Sequence, residues 1–569
     1  LPKRPATITA LSISPNENLL AIGQDNGDGA ILNLSTGDQV LSFGGHQGTV
    51  TEIRFHSDNQ QFFTSGIDSS VRNWKIPAAT AQAVGHEKPI GLLASSTSGQ
   101  WHVTASADQT VRVWQASGQA VRSLGKHAAL PTALAVRHDD GQIASADSDG
   151  EIRLWNAANG TAEATLWAPD TVTAMAYDRS DSTLLTADNQ GWVRRWQVPT
   201  TPPVIASGHS QPVRSLVTTL DGKLIISGSQ DHSVRVWNAE NGQAVRTLQV
   251  PGGLGGAITS VSISGDAKRV VAASEAGQFA VWNLSDGSLL HNRKGASGAI
   301  RDIAFLASGL QVASLHTDQS LHLWLVPNEP VADPDQETPY QSVKLPDTDC
   351  RTLAIAPDDR SLWVSGGAGI VRKWTLNDSK LTSDSPGHSF TAGQGPVSDL
   401  CISRDGKRLA AASEDKHVYV YDVDVVSGSA AGQPVAPLNR LAHPLPVRQV
   451  AFSHDTTRLV STCDTVAVYL WDVEASQLSQ RLQDHTQPVH AVGFAVGSSR
   501  IVSAGSDNAI RITPISVKQL HNLLPQPESD AITHLVAGSG DVSFAVLTAK
   551  GDSVHRMKRD AAPLPPLKP

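Results

Sequence analysis

An all-β fold of repeated four-stranded sheets, closed radially into two tandem propellers, is predicted by three features of the sequence. The first is an aromatic beat. Trp74, Trp114, Trp155, Trp196 and Trp237 fall 40, 41, 41 and 41 residues apart, and the beat runs on more loosely through Trp282, Trp324, Trp374 and Trp471. A fixed period of about 40–45 residues is that of a propeller blade, which cannot bury both of its faces alone. The second is turn chemistry: 46 Gly and 32 Pro among 569 residues suit a chain of many hairpins. The third is the short apolar alternation inside each unit, the mark of half-buried strands.

One unit serves for all. Gly208-His209-Ser210-Gln211-Pro212 leads into the alternating strand Val213-Arg214-Ser215-Leu216-Val217. Asp221-Gly222-Lys223 is a hairpin turn whose glycine can take a positive φ. Leu224 to Ser227 is the second strand, and Ser229-Gln230-Asp231-His232 turns tightly into the third, Val234 to Trp237. Asn241-Gly242 then turns into an outer strand, Gln243 to Leu248. Four such strands leave little room for helix.

Thirteen units align on the tryptophan, with Asn33, Tyr421, Thr513 and Met557 standing in for it in the first, tenth, twelfth and thirteenth. The expected division is a first propeller of seven blades over residues 1–294 and a second of six or seven over 295–560. A Pro-rich tail occupies 561–569. Because a ring must hide its edges, Leu1–Pro5 is expected to pair as the strand that closes the first propeller. A competing division falls at the Pro- and acid-rich stretch 327–346, with the first unit returning to close the second ring. Gly387–Pro396 and Val426–Leu438 read as further surface insertions or a linker.

The totals exclude several classes. A formal charge of −9 without a Lys/Arg cluster argues against a phosphate-binding surface, so no nucleic-acid partner is expected. No apolar run reaches the roughly 18–20 residues that span a bilayer, so no membrane insertion is expected. Cys350, Cys401 and Cys463 lie too far apart to suggest a disulfide framework or metal knuckle. The opening Leu1-Pro2-Lys3-Arg4-Pro5 has neither initiator Met nor signal core, as in a processed protein or a piece of a longer one. No targeting signal assigns a compartment.

Counting back from each tryptophan exposes further regularities. Six residues before it stands an Asp (Asp68, Asp108, Asp149, Asp231, Asp318). Ten before it stands a hydroxyl (Thr64, Thr104, Ser145, Thr186, Ser227, Ser314, Ser461). Twenty-eight before it stands a His (His46, His86, His127, His209, His443), and His485, Ser503 and Asp507 keep the same spacing to Thr513. With Gly45-His46, Gly85-His86 and Gly208-His209 opening their units, the chain resembles the WD-repeat family, whose repeats open Gly-His and close Trp-Asp. The closing Asp survives only in Trp471-Asp472 and Tyr421-Asp422, and units five, seven, eight and nine lack the spaced His. The turns Ser14-Pro15-Asn16-Glu17 and Ala356-Pro357-Asp358-Asp359 look like those of bacterial members, in which such repeats join kinase or cytochrome modules as sensors.

A His, a hydroxyl and an Asp together are also the parts of an activated nucleophile. A catalytic set occurs once, however, whereas this one recurs. The resemblance implies instead a buried relay in which Asp accepts from His, His meets the hydroxyl and the hydroxyl meets the indole N–H. That structural role is expected of His46/Thr64/Asp68/Trp74, His86/Thr104/Asp108/Trp114, His127/Ser145/Asp149/Trp155 and His209/Ser227/Asp231/Trp237. The arginines two before the aromatic position (Arg72, Arg112, Arg153, Arg194, Arg235, Arg372, Arg511) read as solvated strand-face residues. His316 and His322 flank one turn with poor metal spacing. Residues at the channel mouth (Ile67, Ala107, Ser148, Gln230, Thr317) are mixed and name no ligand. No Gly-x-Gly-x-x-Gly, P-loop or Cys-x-x-Cys-His motif is present, so no cofactor, metal or catalytic residue is expected. The resemblance implies a non-enzymatic scaffold that presents loops to other proteins; the alternatives are a ligand-sensing propeller and an enzyme with its site at the channel mouth.

Overall fold

The computed structural model describes residues 6–515 apart from 57, 77–79, 85, 116–119, 179–180, 199–202, 295–297, 328–337, 348, 378–379, 384–385, 429–434 and 496. Beyond 515 it describes the strands within 517–567. Among the described residues the chain forms thirteen antiparallel sheets, twelve of four strands and one of five. Most are meanders of consecutive strands in which the aromatic beat falls near the end of the third strand. Ile225 stands opposite Trp237 and Ser227 opposite Arg235, for example. The one α-helix among the described residues, Val423–Gly428, runs into the expected insertion Val426–Leu438 and buries Val426 among the Trp363 and Phe390 side chains.

Two turns recur and explain the local sequence. In the hairpin, Gly222 takes φ +67° while Asp221 Oδ1 accepts the Lys223 N–H at 3.0 Å. In the tight turn, the residue after the Asp is left-handed: Ser69, Gln109 and His232 have φ of 63°, 70° and 68°. The Asp carboxylate stabilises this bend by accepting the next backbone N–H, as Asp231 does from Ser233 at 2.9 Å. The innermost strand of nearly every blade also carries a bulge at its second residue, where the register slips between Val213 and Ser215 or between Val50 and Glu52. A bulge re-aims the extra side chain, and this one proves to be a key to the channel.

The chain divides into two compact units, and neither expected boundary is among them. One unit is discontinuous, Leu1–Thr200 with Ser516–Pro569; the other, Thr201–Ile515, is inserted into it. The inserted unit has seven blades. Its first strand, Val204–Ser207, pairs antiparallel with Ala509–Pro514 and so completes the blade made by its last three strands. Thr218 Oγ1 donates to Phe494 O at 2.7 Å beside that closure, joining first and last blades. The discontinuous unit has six blades. The insertion falls between the third and fourth strands of its fifth: Val193–Gln197 pairs with Val517–Leu520 across more than three hundred residues of intervening chain.

The corrections have a common cause. Residue 294 ends the strand Leu289–Lys294, and the next strand, Ile300–Phe305, packs against the same blade. Phe279 and Val281 share a core there with Ile300, Ile303 and Trp324. The stretch 327–346 lies inside one blade, since Ser320–Leu325 pairs with Gln341–Lys344. The apolar interfaces between successive blades are alike, so repeat counting cannot tell where a ring closes. Closure depends on one short pairing between distant strands. The six-and-seven division thus replaces the expected seven-and-six, and Leu1–Pro5 lies outside the described residues.

Candidate functional site

The relay residues meet in two blades of the discontinuous unit. His46 Nε2 is 2.7 Å from Thr64 Oγ1, Nδ1 is 2.9 Å from Asp68 Oδ1, and Trp74 Nε1 donates to Thr64 Oγ1 at 2.9 Å. His86, Thr104, Asp108 and Trp114 repeat this at 2.8, 3.0 and 2.7 Å. In the inserted unit His209, Ser227, Asp231 and Trp237 do so at 2.7, 2.8 and 2.8 Å. The indole occupies one lone pair of the hydroxyl, which passes its own proton to Nε2. The imidazole then keeps Nδ1–H for the Asp, and every buried polar atom is served. Burial lowers the pKa of all three His, more than the Asp raises it. Burial opposes ionisation of Asp68 and Asp231, yet their hydrogen bonds from His, Ser and backbone N–H hold both at about 2.

The third expected set is different. His127 Nε2 and Trp155 Nε1 meet Ser145 Oγ at 2.7 and 2.8 Å. Asp149, however, is exposed, and its place is taken by Asp147 and Glu151, whose oxygens stand 3.4 and 3.3 Å from His127 Nδ1. The sequence Asp147-Ser148-Asp149-Gly150-Glu151 offers three acids near one offset, and spacing alone chose the wrong one. Burial lowers the His127 pKa, but the two carboxylates that face it outweigh burial and the net shift is upward.

Blades lacking the spaced His improvise. Trp324 Nε1 donates to Ser314 Oγ at 2.8 Å, and His316, two residues on, supplies the imidazole at 2.9 Å. Trp282 has no hydroxyl at its offset and donates to Gln249 O at 2.9 Å. Trp196 reaches Thr186 Oγ1 at 2.9 Å, while a buried Arg194–Asp188 ion pair fills the remaining space. Arg194 is 1% exposed, so the solvated-arginine expectation fails there. It fails too at Arg372, which binds Asp347 through Nε and Nη2.

Sequence reasoning missed the channel mouths. In the inserted unit the bulged second residues of the innermost strands include Arg214, Arg301, Arg448 and His490, with Arg351 at the equivalent place before Leu353. Arg301 Nη1 pairs with Asp349 Oδ1 at 2.8 Å, and Arg351 Nη2 with Asp349 Oδ2 at 2.7 Å. Arg351 Nη1 and Arg448 Nη1 reach Glu414 Oε1 at 2.7 and 3.2 Å, and Arg448 Nη2 reaches Asp464 Oδ2 at 2.6 Å. Charges thus alternate across consecutive blades, each side chain between 28 and 39% exposed. Glu414 stands just before the tight-turn Asp415, and Asp464 just before Thr465, which takes the place of that Asp in its blade. The arginine position was legible as His plus five, from His209 to Arg214 and His443 to Arg448.

Below this layer the next side chains staple neighbouring blades. Ser215 Oγ accepts Val261 N–H at 3.1 Å, Asp302 Oδ2 accepts Leu353 N–H at 2.9 Å, and Asp399 Oδ2 accepts Val450 N–H at 2.9 Å. Thr352 Oγ1 lies between the two carboxylates, at 2.9 Å from Asp302 and 3.3 Å from Asp399. Burial raises both pKa values, that of Asp399 to about 7. In the discontinuous unit a cavity of about 510 Å³ is lined by Thr9, Thr51, Thr132 and Thr173 with Glu52 and Arg54. Among the described residues no helix is long and apolar enough to cross a membrane.

The fold and the relays are like those of WD-repeat proteins. Six segments match the family described as WD domain, G-beta repeat, at residues 37–75, 80–115, 118–156, 202–238, 383–422 and 476–513. Each match begins one strand before its blade, and in the segment 202–238 that strand is Val204–Ser207, which closes the ring. The chain is 23% identical over 316 residues to autophagy-related protein 16 of Arabidopsis thaliana, covering 55% of this chain and 58% of that protein. It is 21% identical over 329 residues to eukaryotic translation initiation factor 3 subunit I of Drosophila ananassae, covering 56% of this chain and 98% of that one. The Brugia malayi subunit I is 22% identical over 324 residues. These relatives are eukaryotic, which overturns the expected bacterial type.

Proposed function

We propose that this chain is a non-enzymatic protein-interaction scaffold, with the mouth of the inserted ring as a contact surface for other proteins. The half-exposed Arg–Asp–Glu series from Arg301 to Asp464 carries the reading. Its charges are ordered by one another yet reach solvent, so a partner's side chains can re-pair them at small desolvation cost. The relay hydroxyls argue against catalysis, because each is buried and already bound to an indole N–H and an imidazole. A nucleophile needs access to substrate, and these have none. The relatives point the same way, since subunit I is by its name part of an initiation factor. A net charge of −9 supports protein rather than nucleic-acid partners.

The test is quantitative affinity capture from the native source with the full chain and with Arg448→Glu. A reproducible set of proteins held by the unaltered chain and lost with the charge reversal is expected. The reading fails if no protein is retained above background, or if the reversal leaves the retained set unchanged.

A further inference from the structure

In the third blade of the discontinuous unit three ligand-type atoms face one another and nothing else. His127 Nδ1, Asp147 Oδ2 and Glu151 Oε2 all lie within 4.8 Å of one another. None has a hydrogen-bond partner, and the residues are 1, 0 and 6% exposed. Each is held in place by its other polar atom. His127 Nε2 meets Ser145 Oγ at 2.7 Å, Asp147 Oδ1 accepts the Asp149 and Glu151 N–H groups at 3.0 Å, and Arg153 Nε pairs with Glu151 Oε1 at 2.9 Å.

We propose that His127, Asp147 and Glu151 form a buried binding site for a small tetrahedral divalent cation of the zinc class. The distances separate this from a proton-bridged cluster. Charge-assisted N–H···O bonds run at about 2.7–2.9 Å, and the other relays hold their Nδ1–carboxylate contacts at 2.8–3.0 Å. Here two carboxylates stand back to 3.4 and 3.3 Å from a nitrogen that has one proton to give. Tetrahedral ligands at about 2.0–2.1 Å from a zinc ion are about 3.3–3.4 Å from each other, which matches both distances. An octahedral magnesium ion at about 2.0–2.1 Å sets its neighbouring ligands about 2.8–3.0 Å apart, too close.

The donor chemistry agrees. One imidazole and two carboxylates are a set that zinc takes, and a dication offsets the two buried anions. With Nδ1 on the ion, the imidazole carries its proton on Nε2 and gives it to Ser145 Oγ, an outer-shell bond that fixes ring and tautomer. Among the described residues no fourth side chain joins the cluster, so water takes the remaining position. Where the neighbouring blades use one Asp to tie His to the tight turn, this blade ties three side chains through an ion.

The experiment uses the full chain, stripped with chelator, dialysed against Zn²⁺ and assayed by elemental analysis and calorimetry with Zn²⁺ alone. One retained equivalent is expected. Glu151→Gln is expected to lose it, weakening binding by more than the about 10–100-fold that loss of an outer-shell partner costs. His209→Gln, which removes an equally buried relay histidine, is expected to keep it. No retained equivalent in the unaltered chain, or full retention in Glu151→Gln, overturns the site. If Glu151→Gln does not fold, Co²⁺ binding to the unaltered chain decides. Intense visible bands of four-coordinate Co²⁺ support the site, and weak or absent bands overturn it.

Discussion

The two units are made of one kind of blade, yet their channel mouths differ in kind. In the discontinuous unit the bulged residues are threonines except for Gly91, and the threonine hydroxyls turn back onto the ring: Thr9 donates to Val50 O at 2.6 Å and Thr51 to Ile90 O at 2.7 Å. In the inserted unit the same position carries Arg301 and Arg448, whose charges reach across to neighbouring blades. Deeper in the channel the first ring has Glu52, accepting Leu93 N–H at 2.7 Å, where the second has Asp302 and Asp399 bridged by a threonine. The lesson is a division of labour along one strand. Alternate residues build the interface between blades and are confined to apolar types. The bulged residue lies outside that apolar interface and touches the next blade only through polar groups at the mouth, so its identity can change the ring's surface without changing the ring.

The comparison rests on where each ring closes, and the largest effect tests that. Residues 201–515 expressed alone are expected to be soluble, all-β by circular dichroism and to melt in one transition, because Val204–Ser207 is present to complete the last blade. Residues 210–515, without that strand, leave a blade edge open and the ring unfastened, and are expected to aggregate or melt many degrees lower. A fragment 1–294 contains only part of each ring and is expected not to fold. Cooperative melting of 1–294 alone would break the division.

A smaller effect separates the relays of the two units. Asp231→Ala strands His209 Nδ1 in a site where the imidazole is buried, a cost of about 1–3 kcal/mol. The loss is expected in the melting of the inserted unit and not in that of the discontinuous one. Hydrogen exchange localised to each unit checks this. Equal loss of protection in both would mean that they unfold together, and the units would no longer be separable in stability.

Much of this was legible in the sequence, and the failures have physical reasons. The thirteen repeats, their strand order and the His46, His86 and His209 relays follow from spacing, because each strand and turn is local and of nearly fixed length. Ring closure was not legible, since it pairs Val204–Ser207 with Ala509–Pro514 and Val193–Gln197 with Val517–Leu520, contacts that leave no periodic trace. The Asp149 assignment failed because a two-residue shift within a turn keeps an acid in reach. The mouth charges went unnoticed because a bulge breaks the alternation by which strand faces are read.

The finest test concerns the paired carboxylates that only the inserted ring possesses. Burial, helped by Asp302 beside it, lifts the Asp399 pKa to about 7 against the hydrogen bonds from Val450, Leu400 and Thr352. The folded ring therefore holds a proton that the unfolded chain releases near pH 4. Folded-state proton binding exceeds that of the unfolded state between those values, so this group makes stability fall as pH rises from about 4 to about 7. Above that range the carboxylate ionises in both states and the dependence levels off. Asp399→Asn keeps an oxygen for the Val450 N–H and removes the titration. The variant is expected to change stability little at pH 5 and to be relatively more stable than the unaltered chain at pH 8. Chemical denaturation at both pH values reads the difference. A pH slope unchanged in Asp399→Asn would assign the dependence elsewhere and remove the deepest of the differences between the two channels.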